Sequence, residues 1–357
     1  MAVAAEKKKI LVRAPNWIGD AVMCLPAVEA LKALYPESSI TVLTRPPALP
    51  VFMHNPDVDS LMEYRSGDSH GGVKGKIALA GEIRRMGFDM AVLFQNAFDA
   101  AFVSFMAGIP ERVGYARDLR TRLLTRPIKV TSENAGGHQI FYYLNIVREI
   151  GGSVAEGPAP PAPRIYTSPE ERAWAGKFLA DNGLGDSLLV GAAPGASYGP
   201  AKRWSPESFA SVLNMLAGDF GAVPVIFGGR DDVEPCTDVA RALDARHLNL
   251  AGSVSLRQFI ALLSEMALFV TNDSGPMHLA AASGVPTVAV FGSTAPEATG
   301  PVGPSAVVVR NPIECSPCFE RECRYGHYRC LASVPVEDVY SAGAGFLGRR
   351  AGAGGGP

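Results

Sequence analysis

Short apolar runs alternate with longer amphipathic segments along both halves of this chain. In the first half, the apolar runs that predict buried strands lie at residues 9–13, 40–44, 89–94 and 112–115. The segments between them have helical periodicity, and the first and last of these helices are predicted at about 20–35 and 137–150. Because strands that alternate with helices typically form parallel sheets, this half predicts a doubly wound α/β domain.

The second half repeats the alternation. Its strands are predicted at residues 187–193, 223–227, 247–250, 268–271 and 287–291. Its helices are predicted at about 206–220, 231–243, 256–266 and 335–347. The Gly/Ala-rich tail from residue 348 is expected to be loose. This half therefore predicts a second Rossmann-like domain.

A proline-rich segment separates the two halves. Residues 151–169 contain five prolines together with several small and polar residues, a composition that is typical of a linker. We therefore predict a Rossmann-like domain at residues 1–165 and a second one at 166–335. Residues 336–357 then form a C-terminal helix and the loose tail.

Composition narrows the classes of function. The chain has 357 residues, of which 47% are hydrophobic and 19% are charged, so it is long enough for two domains with full cores. A net charge of −2 gives no general attraction to nucleic acid. Since the sequence contains neither a secretion signal nor an apolar run of about 18 residues, we expect a soluble protein that is not exported.

The stretch from Leu268 to Gly292 predicts a strand, a turn, a short helix and a second strand. Ser274 is placed to cap this helix, Pro276 suits its first turn, and Gly284 suits the position after its end. A helix that starts at the carboxyl end of a buried strand presents unpaired N–H groups and the positive end of its dipole, and phosphate binds well there. The alternative is an ordinary crossover helix of an α/β protein.

A Gly/Pro-rich loop at residues 193–204 precedes another predicted helix and carries Lys202. A lysine on such a loop can neutralise a phosphate, although the spacing does not match a P-loop. A solvated loop lysine is the alternative. The acidic pair Asp231 and Asp232 follows a strand and a glycine turn, where it could hold sugar hydroxyls or merely begin a helix.

The loop after the first strand lacks the G-x-G-x-x-G pattern, which argues against a dehydrogenase. It offers instead one carboxylate, Asp20, which could accept a proton from a hydroxyl or could simply cap the following helix. His278 could face a ligand or be packed and hydrogen-bonded.

Two further clusters stand out. Six basic residues lie between residues 112 and 129 against a single acid, and they predict either a site for an acidic acceptor or a solvated basic face. Four cysteines with the spacing C-x2-C-x4-C-x6-C, namely Cys315, Cys318, Cys323 and Cys330, could hold a structural zinc ion. A reduced or partly bridged cysteine loop is the alternative.

Four motifs in order resemble those of the lipopolysaccharide heptosyltransferases of glycosyltransferase family 9, most of all the heptosyltransferase II branch. They lie at residues 10–20, 194–204, 271–278 and 315–330. The resemblance implies a GT-B fold, in which two Rossmann-like domains face each other across a cleft, with the acceptor domain first and the ADP-heptose domain second. It implies an inverting, metal-independent transfer of heptose onto heptosyl-Kdo-lipid A, at the cytoplasmic face of the inner membrane. The protein would then meet a nucleotide-sugar donor and an anionic glycolipid acceptor, would touch the membrane peripherally, and would need no catalytic cofactor.

The resemblance also implies roles for individual residues. Asp20 matches the proposed general base, and Lys202 matches the lysine that binds the donor phosphates. We assign donor binding to Ser197, Lys202, Gly228, Asp231, Asp232, Asp273, Ser274, Gly275, Met277 and His278. We assign acceptor binding to Asn16, Trp17, Arg117, Arg120, Arg122 and His138. A GT-B-fold nucleotide-sugar epimerase and a non-catalytic nucleotide-sugar-binding protein are the alternatives.

Overall fold

The computed structural model describes residues 7–131, 136–155 and 157–353. The chain divides into two compact units, Met1–Tyr166 and Thr167–Pro357. Each unit is built around its own parallel six-stranded sheet.

In the first unit the sheet order is β3-β2-β1-β4-β5-β6 and the strands are parallel. The strands are β1 (Lys9–Arg13), β2 (Ser39–Thr44), β3 (Ser60–Glu63), β4 (Met90–Leu93), β5 (Glu111–Tyr115) and β6 (Arg126–Ile128). The helices are α1 (Ile18–Met23), α2 (Leu25–Leu34), α3 (Gly72–Met86), α4 (Phe98–Met106) and α5 (Gln139–Arg148). The order reverses between β1 and β4, so the loops that follow these two strands leave the sheet side by side.

The second unit repeats this topology with the order β12-β11-β10-β7-β8-β9. Its strands are β7 (Leu189–Ala193), β8 (Val223–Ile226), β9 (Leu248–Asn249), β10 (Leu268–Asn272), β11 (Thr287–Phe291) and β12 (Ala306–Arg310). Its helices are α6 (Pro169–Asp181), α7 (Pro206–Phe220), α8 (Val233–Ala242), α9 (Leu256–Leu263), α10 (Gly275–Ala282), α11 (Pro296–Thr299), α12 (Arg329–Ala332) and α13 (Val336–Ala353). The order reverses between β7 and β10. The two sheets confirm the predicted α/β class with two Rossmann-like domains.

The central strands are fully buried because helices cover both faces of each sheet. Every residue of β7, β10 and β11 is buried, which explains why their sequences are continuous apolar runs. The final helix α13 belongs to the second unit, where Val339 and Leu347 join the core that contains Leu216 of α7. Among the described helices, none is long and apolar enough to cross a membrane.

Three local predictions differ from the structure. The helix predicted at 20–35 is two helices, because Pro26 lacks the N–H that a continuous helix would need. Ser274 occupies the N-cap position of α10 without a capping side-chain bond. The C-terminal helix continues to Ala353, since alanine and arginine near its end favour helix; residues 354–357 of the predicted loose tail lie outside the described residues.

Candidate active site

The loops that follow β7 and β10 bring a charge pair together in the second unit. The Nζ atom of Lys202 lies 2.6 Å from the Oδ2 atom of Asp273. The hydroxyl of Thr294 donates a 2.5 Å hydrogen bond to the same carboxylate oxygen. Because the Asp273 side chain is 4% exposed and that of Lys202 is 14% exposed, both are held in place before any ligand arrives.

A buried amide fixes both ends of the Gly/Pro-rich loop at residues 193–204, which is here called the lysine loop. The Nδ2 atom of Asn272 donates to the carbonyl oxygen of Pro194 at 2.6 Å, and its Oδ1 atom accepts from the backbone N–H of Trp204 at 3.0 Å. Asn272 is completely buried at the end of β10. The Asn272 amide thus bonds the chain just before and just after the segment that contains Lys202.

Helix α10 begins beside this charge pair. Gly275 is its first residue and Pro276 its second, so the first N–H groups of the helix lie just after Asp273 and Ser274. The Ser274 hydroxyl donates to the Asn272 carbonyl oxygen at 3.3 Å. His278 is buried, at 6% exposure. The positive end of the helix dipole therefore adds to the Lys202 ammonium.

The Met277 side chain faces the sheet, and the assignment of Met277 to the donor stays a prediction. It is fully buried and packs in a small core cluster with Ala289 and Phe291 of β11. In the first turns of a helix that lies on a sheet, one face of the helix must point at the sheet, and Met277 is on that face.

The acidic pair after β8 has one exposed and one partly buried member. Asp231 is exposed, whereas Asp232 accepts a hydrogen bond from the Gly229 N–H at 3.3 Å and lies 4.0 Å from Arg203. Two glycines leave room for its side chain: a Cβ atom on Gly195 would lie 2.2 Å from the Asp232 Cγ atom, and one on Gly228 would lie 3.0 Å from its Cβ atom. Gly228 therefore shapes the turn after β8. The predicted donor residue Ser197 is exposed on the lysine loop.

In the first unit, Asp20 lies in the first turn of α1, not at the N-cap, which is Trp17. The Tyr143 hydroxyl lies 3.2 Å from the Asp20 Oδ1 atom and donates to it. Burial raises the pKa of the Tyr143 phenol well above its ordinary value, and the Asp20 carboxylate raises it further. The phenol therefore remains a hydrogen-bond donor that orients this carboxylate.

The other side chains assigned to the acceptor differ in their accessibility. Trp17 is 63% exposed at the start of α1. The Asn16 Oδ1 atom accepts a 2.7 Å hydrogen bond from the buried Arg13 guanidinium. His138 is buried and caps α5, because its Nδ1 atom accepts from the Ile140 N–H at 3.2 Å. Trp17 is thus the most accessible of these three side chains.

The basic segment does not form a single surface. Arg120 is completely buried, and its guanidinium donates to the carbonyl oxygens of Tyr115 and Gln95 and to Asn96. Burial lowers the pKa of Arg120 to about 10. The prediction that this arginine belongs to an accessible basic patch was wrong, whereas Arg117 and Arg122 are exposed.

The four clustered cysteines line one cavity of about 20 Å³. All six cysteines of the chain lie in the described ranges and are free thiols. Backbone N–H groups of residues 325–328 hydrogen-bond to the Cys323 sulfur and lower its pKa. Within the described ranges, no group of three or more His, Cys, Asp and Glu side chains is arranged to hold a metal ion.

Comparison with known proteins decides the family. Residues 77–329 match glycosyltransferase family 9 (heptosyltransferase). The chain belongs to glycosyltransferase family 9. The resemblance seen in the four motifs is therefore confirmed, and the protein is a glycosyltransferase.

Individual members of family 9 align over nearly the whole chain. The protein is 31% identical over 339 residues to lipopolysaccharide heptosyltransferase 2 of Escherichia coli (strain K12), with 93% of this chain and 96% of that one covered. It is 32% identical over 346 residues to lipopolysaccharide heptosyltransferase 2 of Salmonella typhimurium (strain LT2), with the same coverage.

Solved structures of the family share the fold. The structure of E. coli ADP-heptose lps heptosyltransferase II is similar with a TM-score of 0.81 and 26% identity, covering 96% of this chain and 99% of that one. The family 9 glycosyltransferase of Veillonella parvula DSM 2008 has a TM-score of 0.86 and 26% identity, covering 98% and 100%. The fold class inferred from the resemblance is confirmed.

Three side chains at these sites escaped the sequence interpretation. They are Asn272, Thr294 and Tyr143, and each orients a loop or a charged side chain that was identified. For Asn272 and Thr294 a signal was available, since Asn272 is the last residue of the buried strand β10 and Thr294 follows the buried strand β11, both at the carboxyl edge of the sheet. Tyr143 lies within an aromatic helical segment and has no such signal.

Proposed function

We propose that this protein transfers L-glycero-D-manno-heptose from ADP-heptose onto the heptosyl-Kdo-lipid A inner core, with inversion and without a metal ion. Its relatives in E. coli and S. typhimurium are named lipopolysaccharide heptosyltransferase 2, and their sequences align with almost the full chain. The observation that carries the proposal is the Lys202–Asp273 pair beside the start of α10, inside a member of family 9.

The second unit would bind the donor. A diphosphate needs positive charge and N–H donors, and the Lys202 ammonium and the first turn of α10 supply both. Asp232, which accepts a hydrogen bond from one backbone N–H at the glycine turn, would accept further hydrogen bonds from hydroxyls of the nucleotide ribose or the sugar. His278, in the same helix, would also contact the donor.

The first unit would bind and activate the acceptor. The Asp20 carboxylate would take the proton of the acceptor hydroxyl while that oxygen attacks the anomeric carbon from the face opposite ADP. A single displacement of this kind inverts the anomeric configuration. The Tyr143 hydroxyl holds the carboxylate in one orientation, which keeps its proton-accepting oxygen positioned.

We infer metal independence from the positive groups that would meet the leaving group. The departing ADP gains negative charge, and a cation with preorganised N–H dipoles stabilises such charge without a metal ion. Lys202 is the cation in this proposal. Its partner Asp273 keeps the ammonium in place, and Thr294 shares the carboxylate oxygen that holds it.

The acceptor is an anionic glycolipid, so the protein would meet it at the cytoplasmic face of the inner membrane. Exposed Arg117 and Arg122 offer charge for its acidic sugars or phosphates, and exposed Trp17 offers a flat surface for a sugar ring. The contact with the membrane would be peripheral.

The experiment is release of ADP from ADP-heptose by the full chain, with and without the glycolipid acceptor, in EDTA. We expect release that depends on the acceptor and persists in EDTA. Asp20→Asn should lower kcat by about 10²- to 10⁴-fold, because general-base catalysis contributes that much, while leaving ADP binding unchanged. Release that EDTA abolishes would refute metal independence.

Asp59→Asn is the matched control. This aspartate precedes β3 at the opposite, amino edge of the sheet, where it pairs with Lys32 at 3.2 Å and accepts from the Ile40 N–H at 2.8 Å. It should keep wild-type kcat. An Asp20→Asn protein with wild-type turnover would remove Asp20 from the mechanism.

A further inference from the structure

The lysine loop is held by a second segment of the chain, in addition to the Asn272 amide. Residues 316–321, here called the bridging segment, follow β12 in the sequence. The backbone N–H of Ala201 donates to the carbonyl oxygen of Arg321 at 3.1 Å. Gly199 lies so close to this carbonyl that a Cβ atom there would be 2.4 Å from the oxygen. The backbones of the loop and of the bridging segment are therefore in direct contact.

Tyr198 connects the same two parts through its side chain. Its hydroxyl donates a 2.6 Å hydrogen bond to the Phe319 carbonyl oxygen. The Lys202 Nζ atom lies 4.9 Å from the centroid of its ring, and the Arg321 guanidinium lies 5.1 Å from that centroid. The ring thus attracts both cations by cation–π interactions, and the hydrogen bond fixes the ring.

The bridging segment also contacts the loop that carries Thr294, the hydrogen-bond partner of Asp273. The backbone N–H groups of Cys318 and Phe319 donate to the Ser293 carbonyl oxygen at 3.0 and 2.8 Å. The residue after Ser293 is Thr294, whose hydroxyl bonds Asp273. One short segment therefore determines the positions of the loops that carry both Lys202 and the partner of Asp273.

We propose that Tyr198, anchored to the bridging segment, is a positioning residue that holds the Lys202 ammonium where the donor diphosphate binds. The inference rests on the proposed function, because it assumes that Lys202 meets a diphosphate. A lysine has four rotatable side-chain bonds, and a ring beneath the ammonium together with the Asp273 carboxylate limits the rotamers it can adopt. Tyr198 itself touches no phosphate in this proposal.

The experiment compares the affinities of the full chain for ADP and for adenosine, which lacks the diphosphate. Tyr198→Ala removes the ring and its hydrogen bond, so ADP should bind about tenfold more weakly, by the size of a cation–π contact. Adenosine should bind within about twofold of wild type, since a contact to a phosphate is not involved. Lys202→Met gives the reference for complete loss of the ammonium.

Two further variants test the ring itself. Tyr198→Phe keeps the ring and loses only the bond to Phe319, so ADP should bind within about threefold of wild type. Arg321→Ala removes the second cation but leaves its backbone bond to Ala201, and should change the ADP-to-adenosine ratio by about threefold. These variants keep the proposal testable even if Tyr198→Ala does not fold.

Tyr340→Phe is the matched control. It also removes a tyrosine hydroxyl bond in the second unit, the 2.5 Å bond to Asp219, and should leave both affinities unchanged. If Tyr198→Ala retains the wild-type preference for ADP while Lys202→Met loses it, the positioning role is refuted. Equal loss of ADP and adenosine in Tyr198→Ala would also refute it. A wild type that does not prefer ADP to adenosine would overturn the proposed function as well.

Discussion

At the scale of single residues, the Asn272 side chain determines the geometry of the lysine loop. Its amide group bonds one carbonyl and one N–H that lie ten residues apart in the sequence, Pro194 and Trp204. Both of these backbone groups would otherwise be buried without partners, a state that costs more than an ordinary hydrogen bond contributes. The loop can therefore contain many small residues and still hold Lys202 firmly.

Asn272→Ala should lower the free energy of unfolding by about 2–4 kcal/mol, because it leaves two buried backbone groups unsatisfied. Denaturant unfolding of the full chain measures this. Asn214→Ala is the control: that amide also makes bonds to Asp244 and Ala245, but at a partly exposed position where water can replace it, so its cost should be below about 1 kcal/mol. Equal costs for the two variants would contradict the account.

The candidate site residues that the sequence locates most directly are those that follow strands. Asp20, Lys202 and Asp273 each come after a buried apolar run, and in a parallel sheet such positions lie at the carboxyl edge of that sheet. Arg120 could not be assigned correctly, because a run of basic residues looks the same whether a guanidinium is solvated or bonded to buried carbonyls. Tyr198 carried no signal, since its partner in the bridging segment is distant in sequence.

At the scale of elements, two glycine turns create the space for Asp232. Gly195 follows β7 and Gly228 follows β8, and each lies against the side chain of Asp232 at the start of the next helical turn. Close approach without a Cβ atom is the reason for glycine at both places. The loops after β7 and β8 thus both pack against the Asp232 side chain.

Gly195→Ala should weaken ADP binding and lower stability by about 1–3 kcal/mol, because its Cβ atom would lie 2.2 Å from the Asp232 Cγ atom and something must move. Calorimetric titration with ADP and thermal unfolding measure the two effects. In Gly218→Ala, within α7, the new Cβ atom meets nothing within 4 Å, and stability should rise by about 0.5–1 kcal/mol. Unchanged ADP affinity in Gly195→Ala would contradict the proposed place of Asp232.

The Glu111 carboxylate forms ion pairs that link three strands of the first unit. Glu111 at the start of β5 lies 2.8 Å from Arg126 of β6 and 3.2 Å from Lys8, just before β1. Burial raises the pKa of the Glu111 carboxyl, but hydrogen bonds from Arg126 and Lys8 outweigh burial, so the pKa is lower than its ordinary value. The ionised form therefore stabilises the folded chain.

Glu111→Gln should cost about 0.5–1 kcal/mol at neutral pH, the size expected of a partly exposed ion pair. Since the folded pKa is depressed, the stabilisation is present above the ordinary pKa and is lost as the pH falls through the folded value. Stability measured from pH 7 to pH 3 should show the wild type and the variant converge at the acid end. A difference that stays constant with pH would contradict this.

Prediction of elements succeeded for the central strands and for the edge strand β9, and it missed the other three edge strands. Strand β11 was predicted with its observed bounds because both its faces are buried. The edge strands β3 and β6 are short and partly exposed, and β6 contains a proline, so they lack the apolar run that identifies a central strand. The edge strand β12 has an apolar run at residues 306–309 and was nevertheless not predicted. The sequence does not show which strands lie at the edge of a sheet and therefore pair with only one neighbour.

At the scale of the whole molecule, the two units repeat one topology and, in the proposed function, divide the chemistry between them. Asp20 belongs to the first unit, whereas the Lys202–Asp273 pair belongs to the second. A net charge of −2 means that an anionic donor and an anionic acceptor must be met by local positive groups. Lys202 with the α10 terminus, and Arg117 with Arg122, are those groups in the proposed function.

The most direct test of the central claim is the mass of the acceptor after incubation of the wild-type protein with ADP-heptose and heptosyl-Kdo-lipid A in EDTA. The account predicts that the acceptor gains the mass of a single heptose residue and that one ADP is released for each acceptor converted. An unchanged acceptor mass, with ADP-heptose either intact or epimerised, would contradict the claim and favour a binding protein or an epimerase.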